Sequence, residues 1–102
     1  MGLVKRGYEM DVYVVRSVSV IDGDLDSWIS EKVYLEEREA EEVLLMDYND
    51  RVSVWAEEGE VDCGVGDKNE NGCVDFAFAE LDGGDRTEWM VDKLELEVTS
   101  LL

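Results

Sequence analysis

Between Trp28 and Tyr48 the spacing of apolar residues changes period, and that change limits what the chain can fold into. Ile29, Val33 and Leu35 fall on one side of an alternating, strand-like run, whereas Ala40, Val43, Leu44 and Tyr48 share one face of a helix. Two periods in one short run mean a strand delivering a helix onto a sheet. The same segment holds the densest acidic block, Glu36, Glu37, Glu39, Glu41 and Glu42, so core and surface character are set together. The helix is expected from about Glu36 to Tyr48, with Asn49-Asp50 ending it. Its first-turn acids are favoured by the helix dipole at ~0.3–1 kcal/mol each.

The remaining chain reads as strands. A short basic leader covers residues 1–7. Tyr8 to Ile21 is expected as one long strand, with Tyr8, Met10, Val12, Val14, Val18 and Val20 on its apolar side. Glu9, Asp11, Ser17 and Ser19 take the other side, and Arg16 interrupts the apolar one. Asp22 to Asp26 is a turn, from which Trp28 to Leu35 returns antiparallel. After the helix, Arg51 to Ala56 is expected as a strand with Val52 and Val54 inward, followed by a charged turn at Glu57–Glu60. Further strands are expected at Val61–Val65, at Cys73–Leu81 with Val74, Phe76 and Phe78 as the buried face, and at Thr87–Thr99. Met90, Leu94, Leu96 and Val98 share one side of the last, and Asp82-Gly-Gly-Asp85 is the clearest turn. The expected fold is a single compact α+β domain over residues 1–102. It has an antiparallel sheet of about five to six strands with one packed helix, ββα and then a β-meander.

Charge narrows the function. Twenty-seven acids against nine bases give a formal net charge of −18, with no histidine and no proline. Such a surface repels nucleic acid and anionic membranes and works against the folded state by self-repulsion. Nucleic-acid binding needs clustered bases, and Lys5-Arg6 is the one adjacent pair, so Trp28, Trp55 and Trp89 read as core or interface residues. No apolar run approaches the ~18 residues of a membrane span. Residues 1–11 lack a secretory h-region, which points to the cytoplasm, the host's if the protein is viral.

No catalytic or cofactor motif is present. Cys63 and Cys73 are too few for a structural zinc site, and as nucleophiles they lack a histidine base. They are expected as inert buried thiols on the two arms of one hairpin. Asp67-Lys-Asn-Glu-Asn-Gly-Cys-Val-Asp75 resembles the calcium loop of the EF-hand family. That resemblance implies oxygen ligands from Asp67, Asn69, Asn71 and Asp75, with Gly72 at the sharp turn. Phe78 stands where the bidentate Glu belongs. The competing reading is a hairpin turning at Asn71-Gly72 in a type I′ turn. The hairpin is the expectation, with no metal and no cofactor. Asp22, Asp24 and Asp26 repeat the spacing as a solvated turn.

What is left is the acids. Glu36, Glu37, Glu39, Glu41, Glu42, Asp47 and Asp50 lie in the helix region, and Glu57, Glu58, Glu60 and Asp62 follow it. Arg38 is the one base between Glu36 and Asp50. Like charges at i,i+4, such as Glu37 and Glu41, cost ~0.2–0.5 kcal/mol each, so the block invites cations from elsewhere. In size, charge and α+β build the chain resembles the small acidic anti-defence inhibitors of phages, the anti-restriction and anti-CRISPR proteins that imitate DNA. The resemblance implies carboxylates standing in for phosphates in the Lys/Arg groove of a nucleic-acid-binding protein or nucleoprotein complex. The eleven acids just named, taken from charge alone, are the expected partner-binding residues. The alternative is a structural or salt-adapted domain whose acidity serves solubility.

Overall fold

The structure is a computed structural model that describes residues 6–100, with side chains described for residues 10–96. Its elements are β1 (Arg6–Ile21), β2 (Asp24–Ile29), α1 (Glu37–Glu58), β3 (Val61–Val65), β4 (Phe76–Leu81) and β5 (Asp85–Ser100). The strands form one antiparallel sheet in the order β2-β1-β5-β4-β3, so the protein is α+β. Met1–Lys5 of the basic leader lies outside the described residues, as do the side chains of Tyr8 and Val98; Arg6 and Gly7 belong to β1.

Turn chemistry sets the hairpins. Asp22 and Gly23 both take positive φ, 52° and 83°, giving the two-residue type I′ turn that joins β1 to β2. Asp82 and Gly83 also take positive φ, 49° and 69°, but Leu81 pairs with Asp85, so the β4–β5 connection has three residues, Asp82, Gly83 and Gly84. The β1–β5 pair is long, running from Arg6↔Ser100 to Val20↔Arg86. Its neighbours are short: β2 pairs with Arg16–Ile21 and β4 with Asp85–Met90. Residues 6–12 and 94–100 therefore continue as a two-stranded ribbon, and the molecule measures 69 × 29 × 16 Å.

Three expectations need correcting. The helix does not end at Asn49-Asp50, and Arg51–Ala56 is not a strand. Helical spacing continues from Ala40 and Leu44 through Tyr48 and Val52 to Trp55, which is buried on the sheet. Val54, expected inward, is 56% exposed. Burial of the Trp55 ring outweighs the weak strand preference of Val52 and Val54. The helix stops at Gly59, whose N–H donates to the Trp55 carbonyl at 3.0 Å.

The second correction concerns which side of the sheet is covered. Alternation along β1, β4 and β5 is as expected, but α1 packs on the smaller and more polar side. Beneath it lie Val15, Ser17, Ser19, Ala77, Ala79, Thr87 and Trp89, all buried. Phe76 and Phe78, expected as the buried face, point to the other side and are half-buried. Small residues explain the choice. Ala40, Ala77 and Ala79 let the helix approach closely, and the fully buried Trp89 fills the space between them. Tyr48 meets its ring edge-on, with centroids 5.5 Å apart. Ser19 and Thr87 satisfy each other at 2.9 Å, so burying them leaves no orphaned hydroxyl.

The third correction shifts β2 toward the turn: Asp24 to Asp26, expected in the turn, already pair with β1, and only Asp22-Gly23 turn. The strand ends at Ile29, after which the chain touches β1 again at a Tyr13–Tyr34 bridge. Tyr34 packs on the core, whereas Ile29, Val33 and Leu35 are 54–66% exposed. Among the described residues the other face of the sheet carries no helix.

Candidate functional site

The expected acidic residues divide into two groups with different surroundings. Glu37, Glu41 and Asp47 are tied into the fold. The Glu37 carboxylate accepts from Asn69 Nδ2 at 2.7 Å and Asn71 Nδ2 at 3.2 Å. Glu41 accepts the backbone N–H of Val74 at 2.6 Å, and Asp47 accepts the Trp89 indole N–H at 2.6 Å. These three hold the loop after β3, and the core tryptophan, to the helix.

That loop closes the expected hairpin, with Lys68 bridged to Val74, but not by the turn expected for it. Asn71 is not in the left-handed region, so Asn71-Gly72 is not a type I′ pair. Instead Gly72 N–H donates to the Asn69 carbonyl, Asn69 N–H donates to the Cys73 carbonyl, and Gly72 alone takes positive φ, 77°. This is a three-residue turn closed by a glycine bulge. Asn69 Oδ1 is taken by two backbone N–H groups, those of Asn71 and Cys73. Among the described residues no group of three or more His, Cys, Asp or Glu side chains could hold a metal ion.

The cysteines also separate. Cys63 lies opposite Ala79 in the β3–β4 ladder and is exposed, while Cys73 is buried beside the helix; both are free. The expectation of two buried thiols on facing arms therefore fails for Cys63. Burial pushes the Cys73 thiol pKa up, and the negative charges of Glu41 and Glu37 push the same way. The Tyr48 hydroxyl is pushed up to about 12, chiefly by burial and then by the neighbouring Cys63.

The remaining acids are exposed. Glu36, Glu39 and Glu42 stand near the amino end of α1, with Arg38 among them. Met46, Asn49 and Ser53 then occupy the exposed middle of the helix with Asp50, so the acidic block is not continuous along it. Glu57, Glu58, Glu60 and Asp62 lie at its carboxyl end, where they meet residues the sequence had not placed with them.

At that end of the sheet three connections converge: the β1–β2 turn, the β4–β5 turn and the passage from α1 to β3. They bring Asp22, Asp24, Asp82 and Asp85 beside the sequence-expected Glu57, Glu58, Glu60 and Asp62. Carboxylates bind the connections to one another. Asp85 Oδ1 accepts the Asp22 N–H at 3.0 Å, and Asp82 Oδ1 accepts the Glu60 N–H at 2.9 Å. Gly59 makes the second contact possible, because a Cβ there would collide with the Asp82 carboxylate. Glu60, Val61, Asp62, Glu80, Asp82 and Gly83 line an open groove of about 550 Å³. The row crosses the whole sheet, roughly 19 Å at ~4.8 Å per strand.

Compensation at this pole is slight. Among the described residues its base is Arg86, which pairs with Glu88 at 2.9 Å and Glu80 at 3.1 Å. Those partners, Glu88 first, raise the Arg86 pKa above its ordinary value and keep it charged and occupied. The last turn of α1 has no basic residue, so the negative end of the helix dipole points at the same acids. The turn aspartates were legible as turn residues in the sequence. Only the strand order 2-1-5-4-3 reveals that they share one end with Glu57–Asp62. No helix among the described residues is long and apolar enough to cross a membrane. No family model, no curated protein and no solved structure matches the chain.

Proposed function

We propose that the protein is an acidic binding module that inhibits a nucleic-acid-binding protein or nucleoprotein complex by presenting carboxylates to its Lys/Arg groove. The observation that carries this reading is the uncompensated pole at the carboxyl end of α1. Asp22, Asp24, Glu57, Glu58, Glu60, Asp62, Asp82 and Asp85 gather there around one already paired arginine. Two of these carboxylates are fixed by backbone N–H groups, which holds the row in shape. A fixed row of carboxylates offers a basic groove what a phosphate backbone offers, and releases the bound counterions of both surfaces on contact. The binding residues are thus the second half of the sequence-expected set plus the turn aspartates; Glu37, Glu41 and Asp47 serve the fold. The module acts by occupancy and needs neither a catalytic step nor a cofactor.

The test is competition. DNA-cleaving and DNA-binding enzymes are assayed for DNA retention with increasing amounts of the protein at several salt concentrations. Inhibition of at least one, weakening by about tenfold or more as salt rises from ~0.05 to ~0.2 M, is expected. Glu58→Lys with Glu60→Lys removes it, while Glu39→Lys with Glu42→Lys, at the other end of the helix, leaves most of it. Inhibition indifferent to salt, or equally lost in both pairs, overturns the reading. An acidic domain serving solubility alone shows no inhibition at any salt.

A further inference from the structure

We infer that the helix-free face of the sheet is a self-association surface, on which a second copy of this chain stacks sheet to sheet. This inference is independent of the acidic pole. A sheet buries its apolar side against another layer, and here α1 covers only one of two apolar sides. Pairing registers put Leu25 and Ile29 of β2, Val20 of β1, and Leu94 and Leu96 of β5 on the uncovered side, all 42–73% exposed. Half-buried Val14, Val18, Met90, Phe76 and Phe78 fill in between them. Val12, only 2% exposed, also lies on this side, apart from the core cluster beneath the helix. The patch continues along the two-stranded ribbon, which by itself is at most marginally stable. In plan it covers roughly 800 Å², from strand spacing and rise per residue, which is the share each partner contributes to a standard interface. Monomers rarely leave so large an apolar patch open.

Charge selects a second copy as the occupant. The molecule carries −18, yet the described charged side chains on this face are few: Arg16 and Arg86 against Asp62, Glu80, Glu88 and Asp92, with Asp62 at the edge in β3. Arg16 pairs with Asp92 at 2.8 Å, and Arg86 pairs with Glu88 and Glu80. The Arg16 pair sits near the middle of the patch, between Ile29 and Met90 across the strands. A basic partner gains little from so weakly charged a face and far more from the acidic pole. For two copies that repel each other elsewhere, this is the surface of closest approach at least electrostatic cost. A two-fold axis lying between the two sheets, parallel to them and perpendicular to the strands, places each ribbon over the partner's sheet. Twist then sets the aligned angle usual in stacked sheets, about 30°.

Sedimentation velocity on the full chain tests this. A dimer of twice the chain mass is expected, its dissociation constant falling about tenfold or more from ~0.05 to ~0.5 M NaCl as repulsion is screened. Ile29→Lys and Leu94→Lys each raise the dissociation constant by about tenfold or more. Both lower the net negative charge, so general repulsion cannot cause that loss. Both positions are exposed, and unchanged circular dichroism shows that the variants fold. Met46→Lys and Val54→Lys place the same charge on the exposed face of α1 and leave the dimer intact. A protein that stays monomeric at high salt and high concentration overturns the inference and leaves the face to a different partner. So does a dimer that survives both sheet-face substitutions. Pole variants such as Glu58→Lys keep the dimer while losing inhibition, which separates the two proposals.

Discussion

The carboxylate of Asp47 and the indole of Trp89 form the contact on which most of the core rests. Trp89 is fully buried at the centre of the sheet, and its one polar atom has no water to turn to. An acid from the middle of α1 supplies the acceptor, so Asp47 is a fastening of the fold despite its place in an acidic run. Asp47→Ala should cost ~1.5–3 kcal/mol, the range for a lost bond to a charged group that strands its buried partner. Asp47→Asn keeps an acceptor at the same place and should cost clearly less. Chemical denaturation of the two variants checks this, with Trp89 fluorescence as the local signal. Equal losses would mean that the negative charge, and not the hydrogen bond, is what the core uses. Nothing in the spacing of acids distinguishes Asp47 from Asp50. The difference arises from the sheet, because Trp89 reaches α1 only after β5 has paired between β1 and β4.

At the level of elements, the strands and their turns were largely readable, because period-two alternation and Asp-Gly pairs act within a few residues. The extent of α1 was not. Val52-Ser-Val54 alternates like a strand, and Asn49-Asp50 resembles a helix end, yet Trp55 is held against the core and carries the helix to Glu58. Nor was the covered side readable. Both sides of β1, β4 and β5 carry apolar residues, and the helix takes the side where alanine and serine admit it. The loop after β3 shows the same dependence on distant partners. Asn69 uses its oxygen for two backbone N–H groups and its amide for Glu37 and Asp75, so one side chain joins the turn to the helix. Asn69→Ala should destabilise the protein by about 2 kcal/mol and should expose the amides of residues 69–74 to hydrogen exchange. Millimolar calcium should not raise the melting temperature of the original protein, since the oxygen a cation would need is already engaged inside the turn. A calcium-dependent rise of several degrees, removed by Asp67→Ala, would show that the loop opens to bind the ion.

For the whole molecule the question is why acids collect where they cost stability. Glu57 and Glu58 lie at the negative end of the helix dipole, with like charges from both turns nearby and no base in the last turn. At the amino end of the same helix Glu37 and Glu39 are favoured by the dipole, so an acidic run there needs no further reason. The amount of charge was plain in the sequence, but its division into a structural end and an exposed pole needed the strand order. If the pole serves binding, relieving it should stabilise the fold and weaken the function together. Glu58→Lys exchanges an acid for a base in the last turn, where a cation is favoured by ~0.3–1 kcal/mol at low salt. Removing one repelling charge adds to that. The variant should melt at a higher temperature in dilute buffer, and the gain should shrink toward zero as salt screens both effects. The same variant should be the poorer inhibitor in the competition assay. Glu39→Lys is the counterpart: it discards a favourable dipole contact and should not stabilise the fold to the same degree. A Glu58→Lys protein no more stable than the original at low salt would mean that the acids at this end are already relieved. The pole would then cost the fold nothing, and its position would no longer favour a binding role over a solvating one.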